Sequence, residues 1–349
     1  MNQKLAELIR SPLRKIKWNL IMPVARLIGW IRSPRQIVKI WPEGDVKLGP
    51  RVALFMHFDR GGRVRAQLFT YMRALKDNGR DIVFVTNAGF LTAEAMAALQ
   101  EICACVIIRK NIGYDFGAWR DAIDYLGLPR AETEEIICAN DSVFGPILPL
   151  GDTLRRLDYG SADIWGLTES WQTRYHLQSF FLAFGPKAIR AEAFRKFWRS
   201  VRPVPLKTYI VKEYEIGVTH AMMKGGLSCA ALWRYETLVR MANRAELEKL
   251  IKDDRTKLGR TDPLQVTRRM HVLRIRDGVA RRIPLNPTSD LWRQLLVSGF
   301  PFIKRELLRD NPTRVEDVGD WVDVVRDVLA ADPDPILLDL RSMLKGSAP

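Results

Sequence analysis

The chain has 349 residues, of which 47 % are hydrophobic, 27 % charged and 9 % aromatic, proportions that exclude a disordered, collagen-like or disulfide-scaffold protein. Lys and Arg outnumber Asp and Glu by 55 to 40, so the partner is expected to be anionic: nucleic acid, an acidic membrane face or a phosphorylated substrate. Cys103, Cys105, Cys138 and Cys229 show no CxxC spacing and fall in apolar, strand-like runs, which reads as buried reduced thiols in a cytosolic protein.

Met1 to Trp41 mixes Leu, Ile, Val and Trp with nine Lys/Arg and one acid, Glu7. Its apolar stretch from Trp18 to Ile31 is broken by Pro23 and Arg26 and is shorter than the ~18–20 residues of a spanning helix. No small-residue cleavage site follows it, so it is not read as a signal peptide. Leu5, Leu8, Ile9, Leu13, Ile16 and Leu20 recur at helical spacing with Lys4, Arg10, Arg14 and Lys17 off the stripe. Such a helix can lie in an anionic headgroup layer, or pack on the body of the protein with its charges solvated.

Pro42, Gly44, Gly49 and Pro50 close this segment, and an alternation begins. Val52–Phe58 reads as a buried strand, Val64–Asn78 as a helix stopped at Gly79, and Ile82–Val85 as a strand. Thr92–Gln100 reads as a helix capped by Thr92, Cys105–Ile108 as a strand, Phe116–Leu126 as a helix ending at Gly127, and Glu135–Ala139 as a strand. That rhythm predicts a largely parallel sheet with helices on both faces, whose ligands bind beyond the carboxyl ends of the strands. Farther on, Ile164–Leu167, Ser179–Phe184 and Leu227–Leu232 read as strands, and Lys187–Arg199 and Tyr209–Lys224 as helices. Residues 233–285 give no clear pattern. Leu291–Leu308 is basic and apolar, suited either to a second lipid contact or to covering the sheet, and Val315–Ala330 reads as a final helix before a Pro/Asp-rich tail.

The loops after the strands carry the chemistry. The first, His57-Phe-Asp-Arg-Gly-Gly62, offers Asp59 to a nucleoside or ribose, or is simply a tight turn; its spacing is neither a Walker loop nor GxGxxG. The third, Arg109 to Arg120, crowds three cations, two glycines and Asp115 at the start of a helix. Backbone N–H groups and the helix dipole favour an anion there, and Arg109, Lys110 and Arg120 are placed to meet a diphosphate. Asp115 fixes a hydroxyl or caps the helix. The fourth, Cys138 to Pro146, puts Asn140, Asp141 and Ser142 straight after a strand, where a divalent metal bridging a diphosphate needs hard oxygen ligands. Glu213 and Glu215 stand two apart near the start of a helix and so do different jobs, one of them able to deprotonate an acceptor hydroxyl. His176, His220 and His271 have no HxH or HExxH spacing, so zinc catalysis is not supported. The bases are not interleaved with aromatics on a nucleic-acid motif, which sets nucleic acid aside.

Four motifs, Asn111-Ile-Gly-Tyr-Asp-Phe-Gly-Ala-Trp119, Asn140-Asp-Ser-Val-Phe-Gly-Pro146, Trp165-Gly-Leu-Thr-Glu-Ser170 with His176-Leu-Gln-Ser-Phe-Phe181, and Gly299 to Pro312, together resemble the rhamnan synthesis F family of bacterial polysaccharide glycosyltransferases. The resemblance spans roughly residues 50–312. It implies a GT-A-like, Rossmann-type mixed α/β sheet flanked by helices, with helical N- and C-terminal extensions. The implied divisions are a basic segment at 1–48, a nucleotide-sugar half at 49–150, an acceptor half at 151–285 and a C-terminal extension at 286–349.

The activity implied is transfer of rhamnose or a related deoxysugar, with inversion, from a nucleoside-diphosphate sugar to a polyprenyl-diphosphate-linked glycan of O-antigen or capsule type. It would take place at the anionic inner face of the bacterial inner membrane. Donor contacts would come from His57, Asp59, Arg109, Lys110, Asn111, Gly113, Tyr114, Asp115, Asn140 and Ser142, and acceptor contacts from Glu169, His176 and Gln178. Asp141 would organise the diphosphate, directly or through Mg²⁺ or Mn²⁺, and Glu215 or Glu213 would be the base. Asn-Asp-Ser departs from the Asp-x-Asp of glycosyltransferase family 2, which leaves Arg109, Lys110 or Arg120 to neutralise the leaving diphosphate instead. The same departure admits a non-catalytic glycan- or lipid-binding module with this fold.

Overall fold

A computed structural model describes residues 35–242 and 263–345, with positions 23, 24, 27, 29 and 31 before them. The amphipathic stripe from Leu5 to Leu20 lies outside the described residues. Among these, the central sheet has nine strands: β1 (Ile37–Trp41), β2 (Arg51–His57), β3 (Asp81–Thr86), β4 (Cys105–Arg109), β5 (Glu135–Asn140), β7 (Ile164–Ser170), β8 (His176–Leu177), β9 (Phe181–Phe184) and β10 (Cys229–Trp233). β6 (Val143–Phe144) and β11 (Ile303–Lys304) form a separate antiparallel ribbon.

The sheet order is β1-β4-β3-β2-β5-β9-β7-β10, with β8 on β7. β4, β3, β2 and β5 run parallel, β9 runs antiparallel between β5 and β7, and β10 returns parallel to β7. This is a mixed α/β sheet flanked by helices, as the resemblance implies. Along β2, Val52, Leu54 and Met56 enter one core while Ala53 and Phe55 enter the other. A strand covered on both faces is apolar through its middle, which is why Val52–Met56 reads as an unbroken hydrophobic run. Burying each large side chain contributes about 1.5–3 kcal/mol.

β1, whose residues the sequence reading assigned to the basic segment, is instead the antiparallel edge of the sheet on β4. Val38 and Lys39 face solvent, so this short edge strand lacks the apolar run that reveals a central one. The stretch read as one helix from Lys187 splits at Ala191, whose ψ of 146° is extended, into Pro186–Arg190 and Glu192–Ser200. Residues read as a Pro/Asp-rich tail include a helix, Asp334–Lys345. No helix of the described residues is long and apolar enough to cross a membrane.

The C-terminal region has its own core, in which Trp292, Leu296, Ile303, Leu307, Trp321 and Val325 pack with Phe144 from the loop after β5. Phe300, Phe302, Ile303 and Arg293 are all buried, so this segment covers the sheet and its apolar side chains are not a lipid contact. His271 is part of the same scaffold: its ring nitrogens face Glu316 Oε2 at 2.9 Å and the Asp290 carbonyl at 2.8 Å.

Candidate active site

Register sets the site. His57 lies opposite Thr86, Thr86 opposite Ile108, and Met56 opposite Asn140. Parallel strands in that register end abreast, so the loops beginning at Phe58, Asn87, Lys110 and Asp141 open along one edge of the sheet.

The helix Tyr114–Leu126 starts at this edge. Gly113 precedes it with φ +86°, and a Cβ there would lie 2.9 Å from Pro203 Cα, so glycine is required both by conformation and by space. Tyr114 follows with φ 51°, a left-handed conformation uncommon for a bulky residue, with its ring 40 % exposed at the rim. Asn87 Nδ2 donates to the Tyr114 carbonyl at 3.2 Å and holds the turn. Phe116 packs on Trp119 (centroids 5.2 Å), Trp198 (6.0 Å) and Tyr214 (5.9 Å). Since Asp115 precedes Phe116 and Glu215 follows Tyr214, this aromatic packing brings two acids from distant elements to the same edge.

Asn140 Nδ2 donates to Asp115 Oδ2 at 2.7 Å, Ser142 Oγ to Asn140 Oδ1 at 2.5 Å, and Lys304 Nζ to Ser142 Oγ at 2.9 Å. Asp141 Oδ2 accepts from Phe58 N at 3.3 Å and pairs with Arg305 Nη1 at 2.9 Å. Arg305 also donates to the Asp141 carbonyl. Glu215 Oε1 accepts from Ser179 N at 3.4 Å. His57, buried beside this group with Nδ1 3.0 Å from Thr86 Oγ1, has its pKa lowered by burial, against the pull of Asp141 and Asp59.

Burial and the neighbouring Asp141 carboxylate push Asp115 up to about 7, against the Asn140 hydrogen bond that favours its charged form. A folded-state pKa above the free value of 3.8 means that the native protein holds a proton the unfolded chain has lost. Stability from this group is therefore complete below about pH 4 and declines until about pH 7, by at most about 4 kcal/mol. Asp115→Asn is expected to remove that decline. Denaturant unfolding at pH 5 and pH 8 checks it, and equal slopes in the two proteins would refute it.

The structure brings together His57, Asp115, Tyr114, Asn140, Asp141, Ser142 and Glu215 of the residues singled out from sequence. Asp59 closes its own turn, accepting from Gly61 N at 2.8 Å and Arg63 N at 3.3 Å. Lys110 and Asn111 are exposed on the third loop. Arg109 is corrected: its guanidinium is fully enclosed, donating from Nε to Asp121 Oδ2 at 2.8 Å and to the Ile112 carbonyl and Asn87 Oδ1. Arg120 is likewise buried, 2.7 Å from Asp121 Oδ1. Neither is presented to a diphosphate, because both cations neutralise Asp121 inside the fold.

The acceptor residues are corrected in the same way. Glu169 is buried and accepts from Tyr235 N at 3.0 Å and Tyr175 OH at 3.1 Å. His176 Nδ1 sits 2.8 Å from the Arg174 carbonyl, and Gln178 is held by Thr168, Asn286 and Thr288.

Glu213 and Glu215 both lie in the π-helical segment Ile210–Glu215, two positions apart. Glu215 faces the cluster, whereas Glu213 lines a cavity of 810 Å³ with Leu27, Phe197, Arg202, Tyr209 and Tyr214.

Sequence reasoning missed Lys304 and Arg305. Their signal was two adjacent cations between apolar anchors within the Gly299–Pro312 motif. The donor set does not fit a divalent cation as arranged: among the described residues no group of three His, Cys, Asp or Glu side chains is placed to ligate one, and Arg305 already occupies Asp141.

Comparison with known proteins agrees with the motif reading. Virulence protein VirA of Vibrio anguillarum is 28 % identical over 301 residues, covering 84 % of this chain and 90 % of that protein. An uncharacterized protein, y4gN, of Sinorhizobium fredii is 28 % identical over 212 residues, covering 60 % of this chain and 55 % of its own. Among solved structures, a Pyrobaculum calidifontis mannosyltransferase in complex with GDP-Man and Mn²⁺ overlaps 71 % of this chain and 76 % of its own, at 12 % identity and a TM-score of 0.33. The model of rhamnan synthesis protein F matches residues 82–254, from β3 through the third and fourth loops to beyond Glu215. Over that stretch the chain is similar to the rhamnan synthesis protein F family.

Proposed function

We propose that the protein is a glycosyltransferase that moves a sugar, rhamnose or a related deoxysugar, from a nucleoside-diphosphate donor to a lipid-linked glycan. One observation carries this reading: at the carboxyl ends of the parallel strands Asp141 pairs with Arg305, and Lys304, hydrogen-bonded to Ser142, stands near enough to Asp115 and Glu215 to feel their charge. Sugar transfer from an activated donor needs a base for the acceptor hydroxyl and positive charge for the departing diphosphate. The cluster holds both kinds of group, and the similarity to the rhamnan synthesis protein F family supports the same chemistry. The exposed ring of Tyr114 at the rim offers a face on which a nucleobase can stack.

In this reading Glu215 takes the acceptor proton as the acceptor oxygen bonds the anomeric carbon, and the bond from that carbon to the phosphate oxygen breaks. Attack from the face opposite the diphosphate inverts the anomeric centre. The basic residues before β1 would hold the enzyme on an anionic membrane at the cytoplasmic face, within reach of a polyprenyl-linked acceptor.

The expected result is release of nucleoside diphosphate when the full chain is given a deoxysugar nucleotide and a lipid-linked acceptor together. Thymidine, guanosine and uridine donors should be screened with and without Mg²⁺ or Mn²⁺. No release with any of them would instead favour a glycan- or lipid-binding module.

A further inference from the structure

We propose that Lys304 and Arg305 are the diphosphate-binding cations of this site, and that they take up leaving-group charge in place of a divalent ion. The proposal rests on the donor reading above and goes beyond it, because neither residue was given a donor role from sequence.

Their position is built. Ile303 pairs with Phe144 and Lys304 with Val143, and Arg305 N donates to the Ser142 carbonyl at 3.0 Å, so both cations are fixed by main-chain bonds to the loop carrying Asp141. Phe300, Phe302, Ile303 and Leu307, all buried, anchor the strand on either side. The strand that carries the two charged side chains is thus held by its apolar neighbours and its main-chain bonds.

Their partners argue against a purely structural purpose. Lys304 Nζ lies 5.0 Å from the centroid of the Phe180 ring, and its hydrogen bond among the described residues is to the neutral hydroxyl of Ser142. A half-buried ammonium with one hydrogen bond to a neutral hydroxyl retains donors for a further acceptor. Burial pushes its pKa down while Glu215 and Asp115 pull it up, and an arriving diphosphate would add to that pull. Arg305 meets Asp141 through Nη1, whereas Nη2 contacts Met343 Sδ at 3.8 Å, a weak acceptor that a phosphate oxygen can displace.

In the reaction, the electron pair of the breaking bond between the anomeric carbon and the phosphate oxygen stays on that oxygen. The proton lost by the acceptor goes to Glu215. The new negative charge is then balanced by two cations already in the protein, and no further reactant is required.

Inorganic pyrophosphate, which carries the diphosphate without a base or a sugar, is the probe. Titration calorimetry on the full chain in EDTA is expected to show binding that weakens about tenfold to a hundredfold in Lys304→Met and in Arg305→Met, with Lys304→Arg within about threefold of the unsubstituted protein. Thermal unfolding of each variant separates loss of binding from loss of fold. Unchanged affinity in a folded Lys304→Met, or binding that appears only when Mn²⁺ is added, overturns the proposal. The donor screen fails separately: pyrophosphate bound through Lys304 with no sugar released from any donor would leave the cation assignment standing and remove the transferase reading.

Discussion

Glu215→Gln is expected to lower sugar transfer by about 10³-fold while nucleotide binding stays within about threefold, because a positioned base contributes about 10²–10⁴ and the amide keeps the shape of the carboxyl. Glu213→Gln is expected to transfer at close to the unsubstituted rate. The sequence favoured Glu215 only slightly, but the structure puts Glu215 within hydrogen-bond reach of Ser179 N at the cluster, whereas Glu213, in the same π-helical segment, lines the separate cavity. The measurement is single-turnover transfer beside nucleotide affinity for each variant. Inactivity confined to Glu213→Gln would move the base to the other cavity and with it the acceptor. Equal, mild losses in both would mean that neither touches the reacting atoms.

The parts of this site that lay open in the sequence are those dictated by local pattern. β2 to β5 are buried on both faces, so they are apolar through their middles, and the polar residues at their carboxyl ends and in the loops that follow stand out. Asn140, Asp141 and Ser142 were found in this way. What could not be read depends on distant packing. Lys304 is hydrogen-bonded to Ser142 across 162 positions of sequence, through a ribbon of only two residues per strand, too short to leave an alternating pattern. β1 was hidden by the opposite circumstance: it is half exposed, so its polar side chains blend with the basic residues before it.

Arg109 shows a different limit. A cation at the end of a strand, next to a glycine-bearing turn and a helix start, has the same local sequence whether it faces a ligand or the interior. The distinguishing signal lay twelve residues on, at Asp121, an acid amid Phe116, Gly117, Ala118, Trp119, Ala122 and Ile123 on a helix that is buried almost all round. An acid there must be neutralised from within the fold, and Arg109 is the strand residue that faces it.

Arg109→Met is therefore expected to destabilise the protein by about 3–5 kcal/mol, because it strands the Asp121 carboxylate in a site from which solvent is excluded. Denaturant unfolding measures this, and Lys110→Met on the exposed neighbouring position is the control, expected to stay within about 0.5 kcal/mol. Adding Asp121→Leu to Arg109→Met should recover part of the loss, since removing both buried charges spares their desolvation cost. Arg120 and the Gln36 amide, which also face Asp121, limit that recovery. The contrast with Lys304 is the decisive part. A cation that serves the fold, when removed, lowers stability and leaves the pyrophosphate affinity of the folded molecules near its original value. A cation that serves the ligand does the reverse. An Arg109→Met protein of unchanged stability that no longer binds pyrophosphate would return Arg109 to the donor site and leave the geometry around Asp121 without its stated purpose.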